Sequence, residues 1–285
     1  MTTEIRIDAL LPAEMARRAE YVGVRKAETK TLEMIALAIL AGAFIALGAV
    51  FATTIAAGTG GAWPYGVTRL LTGLVFCLGL ILVVVGGAEL FTGNNLIVMA
   101  WASRKVTTTA LLRNWVIVYF GNFVGALGTA VLVFIARQYT FGGGAVGTTA
   151  LSIANSKAHL GFSQAIVLGI LCNALVCLAV WLTFSARSTI DKIAAILFPI
   201  TAFVAAGFEH SIANMYFIPI GLLIKQFDPA FAAKAAETAK LDLSGLTWNA
   251  FFLNNLIPVT IGNIIGGVAL VAAIYWAVFL RRRDA

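Results

Sequence analysis

Charge is what this sequence has least of. Asp, Glu, Lys and Arg make up 12% of its 285 residues, while 60% are hydrophobic. Soluble domains average about 25% charged residues, so a chain this poor in charge lacks the polar surface that water demands. Histidine is scarcer still, with two in the whole chain, and the three cysteines, Cys77, Cys172 and Cys177, are scattered through apolar stretches. Thiols placed like this read as small hydrophobes. No Cys/His spacing suits a zinc site, and no metal or cofactor is expected. The first thirty residues mix acids with bases and the first apolar run is too long for a signal peptide, so a cleaved leader is not expected.

What is present is apolar length. Met34 to Thr68 and Trp248 to Leu280 carry no charged side chain, and a crossing helix needs only about 20 such residues. Six crossings are expected: 34–57, a second segment 70–101, 115–136, 164–186, a fifth segment 193–224, and 248–280. Residues 1–33 read as a cytoplasmic amphipathic helix beginning near Pro12, lying on the membrane surface or packed on the bundle. The stretches 138–163 and 225–247 read as loops, and 281–285 as a cytoplasmic tail. With both termini inside, 14 Lys/Arg fall on the cytoplasmic side against 6 outside, the sense that the positive-inside rule requires. The net charge of +7 therefore reports topology and not nucleic acid.

The second and fifth segments are polar in their middles. Gly87-Ala88-Glu89-Leu90-Phe91-Thr92-Gly93-Asn94 aligns with Gly207-Phe208-Glu209-His210-Ser211-Ile212-Ala213-Asn214. The following spans match as well, Asn114 and Gly121-Asn122 against Asn255 and Gly262-Asn263. Two copies of three spans each, about 34–136 and 164–280, must enter the membrane in opposite senses. Inverted repeats with interrupted helices at equivalent positions point to a transport path at the midplane.

Ionisable groups at membrane depth mark function by default. His210 is the candidate for solute chemistry, because it can donate, accept or relay a proton and its repeat partner is only Leu90. Thr92 lies in the other break, within reach if the breaks meet. Glu89 and Glu209 are expected to brace the breaks by accepting N–H groups freed at helix starts, with Asn94 and Asn214 as caps. Lys157 sits ahead of the fourth span, where it either draws anions into an outer funnel or is simply solvated. Asn173 lies one to two turns inside that span. Phe76, Leu80, Leu90 and Phe203 flank the breaks as dry constrictions or as packing. An intramembrane enzyme using Glu209 and His210 is a rival reading, opposed by the lack of a nucleophile or second acid–base cluster. The paired Asn-Pro-Ala motifs of an aquaglyceroporin are absent from both breaks.

Gly207-Phe-Glu-His-Ser-Ile-Ala-Asn-Met215, Asn173 to Trp181, Glu89-Leu-Phe-Thr92 and Ile257 to Gly267 together resemble the formate/nitrite transporter family over essentially the whole chain, nearest its formate channel branch. The resemblance implies an all-α, aquaporin-like protomer of six transmembrane helices with helices 2 and 5 broken, assembled as a homopentamer in the bacterial inner membrane. It implies that His210 is a central pore histidine facing Thr92, and that Lys157 and Asn173 draw and guide the anion. Phe76 and Phe203 match an outer constriction, and Leu80 and Leu90 an inner one. The substrate expected is formate or a similar small anion; nitrite or hydrosulfide on the same scaffold is the alternative. A cytoplasmic formate-metabolising enzyme at the N-terminal helix is the one further partner the resemblance leaves room for.

Overall fold

The computed structural model describes residues 10–59 and 62–281. The first nine residues of the expected N-terminal segment and the tail beyond Arg281 lie outside the described residues. The chain folds into helices α1 (Pro12–Glu28), α2 (Thr31–Ala56), α3 (Tyr65–Gly86), α4 (Val98–Ala102), α5 (Thr108–Ile135), α6 (Ala145–Ala158), α7 (Phe162–Thr183), α8 (Thr189–Ala205), α9 (Ser211–Phe227), α10 (Pro229–Ala239) and α11 (Trp248–Phe279). Among the described residues five of these, α2, α3, α5, α7 and α11, are long and apolar enough to cross a membrane alone. The sixth crossing is composite: α8 and α9, each of 17 residues, meet end to end at a break. At ~1.5 Å per residue neither half spans a ~30 Å hydrocarbon core.

Two stretches expected to be loops are largely helical. Residues 145–158 form α6, entered through Gly142, Gly143 and Gly144, all with positive φ. Three consecutive left-handed residues reverse the chain, and glycine alone takes that conformation without strain. Residues 229–239 form α10, started by the Asp228 carboxylate, which accepts the Phe231 N–H at 3.2 Å, and by Pro229 in the first turn. Both helices are rich in alanine, so neither shows an apolar stripe strong enough to announce itself.

The two halves pack by the same device. α2 lies against α5, and α7 against α11, through glycines that leave no room for a side chain. A Cβ added to Gly42 would fall on the Asn122 carbonyl, and one on Gly125 would fall on that of Ile39. In the second half, one on Gly262 would meet the Ile166 carbonyl and one on Gly266 that of Ile170. Small residues at the contact let backbones approach where lipid supplies no hydrophobic drive between helices. The repeat also begins earlier than the spans, since α1 is the counterpart of α6. α11 departs from regular α-geometry with two π-helical turns, Phe251–Leu256 and Val268–Ala272. The first of them ends two residues before Pro258, whose missing N–H interrupts the ladder.

α1 packs on the bundle and not away from it. Met15, Ala16, Ala19 and Gly23 are buried against the turn and helix that follow the first break, and Glu20 forms an ion pair with Lys105. The outward surface of the bundle is apolar instead: Phe120, Leu132 and Phe198 are 63%, 68% and 83% exposed, as a lipid- or subunit-facing wall requires.

The glycine contacts give a direct test. Gly125→Ala places a methyl on the Ile39 carbonyl and is expected to destabilise by about 1–3 kcal/mol, read as a lower midpoint of thermal unfolding in detergent. Gly128→Ala, three residues on with open space around it, is expected to leave the midpoint unchanged. Equal midpoints for the two variants would refute the packing account.

Candidate functional site

Both breaks are built alike. α3 ends with Gly87 at φ 79° and α8 with Gly207 at φ 77°. The left-handed residue lets the next N–H turn back to cap the helix: Ala88 donates to the Val83 carbonyl at 2.9 Å, and Phe208 to that of Phe203 at 3.0 Å. This is the usual glycine termination of a helix. The chain then runs extended. Glu89 N–H donates to Leu37 O at 3.2 Å and Glu209 N–H to Leu168 O at 3.3 Å. Backbone exposed in this way inside a membrane must be satisfied by protein. One asparagine per repeat does most of it. The Asn122 amide donates to Ala38 O (2.7 Å) and Glu89 O (2.9 Å), and its oxygen accepts from Phe91 N–H (2.9 Å). Asn263 repeats the pattern with Gly169 O (2.8 Å), Glu209 O (2.9 Å) and Ser211 N–H (2.9 Å).

The carboxylates do something other than the sequence suggests. They accept from side chains, and the freed N–H groups go to Asn122 and Asn263. Glu209 takes Lys157 Nζ at 2.7 Å, Asn214 Nδ2 at 2.7 Å and Asn255 Nδ2 at 3.2 Å. Glu89 takes Lys26 Nζ at 2.8 Å and Asn94 Nδ2 at 2.6 Å. Asn94 and Asn214 are therefore not backbone caps but donors to the acids, each also bonded to the asparagine of the third span, Asn114 (2.9 Å) and Asn255 (2.7 Å). Lys157 is no solvated loop residue. It stands in the last turn of α6, 17% exposed, with its ammonium on Glu209 and 5.5 Å from the Phe217 ring centroid. Lys26, at the end of α1, is its twin. With both oxygens of Glu209 engaged, the acid and His210 do not form an acid–base pair.

His210 is where the twofold fails. Its Nδ1 accepts the Ala213 N–H at 3.0 Å, making the imidazole the N-cap of α9. A backbone N–H can only donate, so Nδ1 carries no proton and the neutral ring holds its proton on Nε2. That nitrogen lies 3.0 Å from Thr92 Oγ1, so it donates to the hydroxyl. The two breaks thus meet through one hydrogen bond, between side chains that are 0% and 3% exposed. Apolar groups close the path on either side. Phe203 stacks on the imidazole at 5.9 Å and Phe76 lies edge-on to Phe203 at 5.7 Å. Leu80 and Leu90, both 2% exposed, stand on the side of the termini.

Two vestibules approach this wall. The proximal one, on the side of the termini, has a volume of about 330 Å³ and reaches from Arg18, Lys26 and Lys192 down to Leu80, Glu89 and Leu90. The distal one, of about 510 Å³, reaches from Arg69 and Lys157 down to Phe76, Phe203, Glu209 and His210. The breaks, both leucines, both phenylalanines, Thr92, His210 and Lys157 are brought together as the sequence suggests. Asn173 reaches only the backbone of Thr92 and lines neither vestibule. Its amide donates to Asn263 O at 2.7 Å, Asn95 Oδ1 at 2.9 Å and Thr92 O at 3.3 Å, so it fixes the turn that carries Thr92. Arg69 escaped the sequence reading. Its guanidinium caps α8 by donating to Ala205 O at 3.1 Å and to Val204 O, and the only signal was a single cation in the first turn of an apolar span. Lys26 is likewise not evident from sequence, because the alanine-rich α6 does not show itself as the counterpart of α1.

A profile of the family described as Formate/nitrite transporter matches residues 13–277. The chain is 47% identical over 284 residues to the protein named Formate channel FocA from Escherichia coli strain K12, covering 100% of this chain and 99% of that one. It is 38% identical over 287 residues to a probable formate transporter of Methanothermobacter thermautotrophicus, covering 95% and 97%. Among solved structures it is similar to a pentameric formate channel with formate bound, at TM-score 0.81 and 45% identity over 88% of this chain and 98% of that one.

The asparagine clamps predict matched losses. Asn263→Ala strips partners from two carbonyls and one N–H, at about 1–3 kcal/mol for each buried group left unpaired; Asn122→Ala does the same in the other repeat. Both variants are expected to melt well below the wild type in detergent and by similar amounts. A melting curve for either that overlays the wild type would remove the clamp from the account.

Proposed function

The chain belongs to the formate/nitrite transporter family, and from that premise we propose that it is a formate channel of the bacterial inner membrane, working as a homopentamer with one pore per protomer. The Thr92–His210 contact, one hydrogen-bonding pair at the meeting point of two apolar-walled vestibules, is the observation that carries the reading. The excess of Lys/Arg on the side of the termini supports a cytoplasmic proximal face. A cytoplasmic formate-metabolising enzyme is a partner that the exposed side of α1 could take; Arg17 and Tyr21 face outward there.

Formate is drawn into each vestibule by the lysine at its wall, Lys157 from outside and Lys26 from inside, each held in place by its carboxylate. At Phe76 and Phe203, or at Leu80 and Leu90, the anion must shed water, and a bare charge pays far more for that than its neutral acid. Between the constrictions the solute replaces Thr92 as acceptor of the Nε2 proton's hydrogen bond. In this state the neutral imidazole is a donor, not an acid. To hand a proton over, His210 must first bind one at Nδ1, which means giving up the Ala213 N–H and the cap of α9. Proton transfer is thereby coupled to the start of the helix that carries the distal half of the pore.

Labelled-formate flux into proteoliposomes across a pH series, with nitrite as competitor, tests this. His210→Phe and His210→Asn are both expected to change the pH dependence of flux and leave the pentamer intact. Asn can still cap α9 and Phe cannot, so the Phe variant is expected to be less stable by about 1 kcal/mol. An unchanged pH profile in both would sink the role given to His210.

A further inference from the structure

The two vestibules are unequal in charge, and the difference lies in two cations that no carboxylate answers. The distal one holds two cations and one carboxylate, and both cations are occupied: Lys157 by Glu209, Arg69 by the Val204 and Ala205 carbonyls. Among the described residues the proximal one is lined by three cations and one carboxylate. Of these cations Glu89 takes only Lys26. The side chains of Arg18 and Lys192, on α1 and α8, have no hydrogen-bonding or ionic partner among the described residues. By the twofold, the carbonyls of Val84 and Val85 are the counterparts of those that Arg69 caps. Lys192 and Val84 line the same cavity, and the Lys192 side chain makes no such bond.

We propose that the proximal vestibule is a binding site for a doubly charged oxyanion, inorganic phosphate or the phosphate group of a phosphomonoester, held by Arg18 and Lys192 and blocking the pore from the side of the termini. The surplus of two positive charges matches a dianion. A cavity of about 330 Å³ has room for roughly ten waters at ~30 Å³ each, more than such a group needs with part of its hydration. Arg18 offers a planar guanidinium fork suited to two oxygens of one phosphate, and Lys192 a point charge on the wall of the same cavity. The same ion cannot go further. Desolvation cost rises with the square of the charge, so the Leu80–Leu90 wall that formate crosses as a weak acid is closed to a dianion. A bound ion would shield Lys26 and occupy the entry, slowing formate leaving from that side.

This rests on the channel reading, and the experiment keeps the two apart. Formate flux is measured in membrane vesicles of known orientation, with phosphate or glycerol phosphate on one side at a time and chloride at matched ionic strength as control. Phosphate on the side of the termini is expected to slow flux, and on the opposite side to have no effect beyond the control. Arg18→Gln with Lys192→Gln is expected to weaken the block roughly tenfold or more, since each lost charge-assisted contact is worth about that factor, with unblocked flux retained. Phosphate is also expected to raise the melting midpoint of the purified wild type and not of the double variant. Block from both sides alike, block unchanged in the variant, or neither block nor thermal shift by either anion would overturn the site. Absence of formate flux in wild-type vesicles would count against the channel reading alone, and the thermal shift would still decide this one.

Discussion

A carboxylate buried between a lysine and two asparagines is the interaction on which the rest depends. Each repeat breaks a helix where hydrocarbon surrounds it, which strands N–H and C=O groups at a depth where none can be left bare. Asn122 and Asn263 answer for the backbone, but they sit on third spans that must be held in register with the break. Glu89 and Glu209 hold them there. Through Asn94–Asn114 and Asn214–Asn255 each acid ties the helix after the break to the third span, and through Lys26 and Lys157 it ties in the short helix ahead of the first. Buried ion pairs are weak sources of net stability, and removing one partner strands the other. Their value here is geometric: they place an ammonium at the wall of each vestibule and keep it from folding away into solvent.

The twofold governs the helix breaks and most of their bracing, with Arg69 and Asn173 as unmatched structural pieces, and it fails chemically where Leu90 is the counterpart of His210. Lysine, glutamate, two asparagines, clamp asparagine and left-handed glycine all recur at nearly the same distances, save that Asn255 also reaches Glu209 and Asn114 does not reach Glu89. Leu90 and His210 do not correspond chemically. A symmetric pair of histidines would place two like dipoles nose to nose at the midplane, and a symmetric pair of leucines would leave nothing to receive the solute. One imidazole against one hydroxyl gives a donor and an acceptor, and so a single polar step in a dry path. The price is an asymmetric pore. The histidine also caps α9, while the opposite strand needs Asn173 and Asn95 to hold Thr92 in place.

Much of this is legible in the sequence, because it is written in the residues that membranes tolerate least. Glu89, Glu209 and His210 in charge-free runs located the breaks, and the second Gly-x-Glu revealed the repeat. What was not readable was the partner of each polar group. The acids looked like acceptors of backbone N–H because adjacency in sequence favours that, whereas their true donors come from 5 to 63 residues away. Lys157 looked solvated because three glycines ahead of an alanine-rich stretch read as a loop; once α6 is a helix its last turn delivers the lysine to Glu209. Asn173 was placed with the solute through resemblance, and its three bonds to backbone and amide oxygens make it a brace. Polar residues in membranes advertise position, not partner.

Selectivity follows from two opposed terms acting at different depths. Coulomb attraction from Lys26 and Lys157 acts across the vestibules at an effective dielectric nearer 20 than 80, where it is worth a few kcal/mol for a unit charge at about 4 Å. Desolvation acts only at the apolar walls and disfavours the same charge by more. A monovalent anion whose conjugate acid is reachable passes by being concentrated as an ion and crossing as something closer to an acid. An ion with two charges gains twice in the vestibule and loses about four times at the wall, so it collects and stops. A neutral solute gains nothing from the lysines and is never concentrated. The pore therefore selects for weak monovalent acids by the order in which it presents charge and dryness, and it needs no binding pocket shaped to a particular solute.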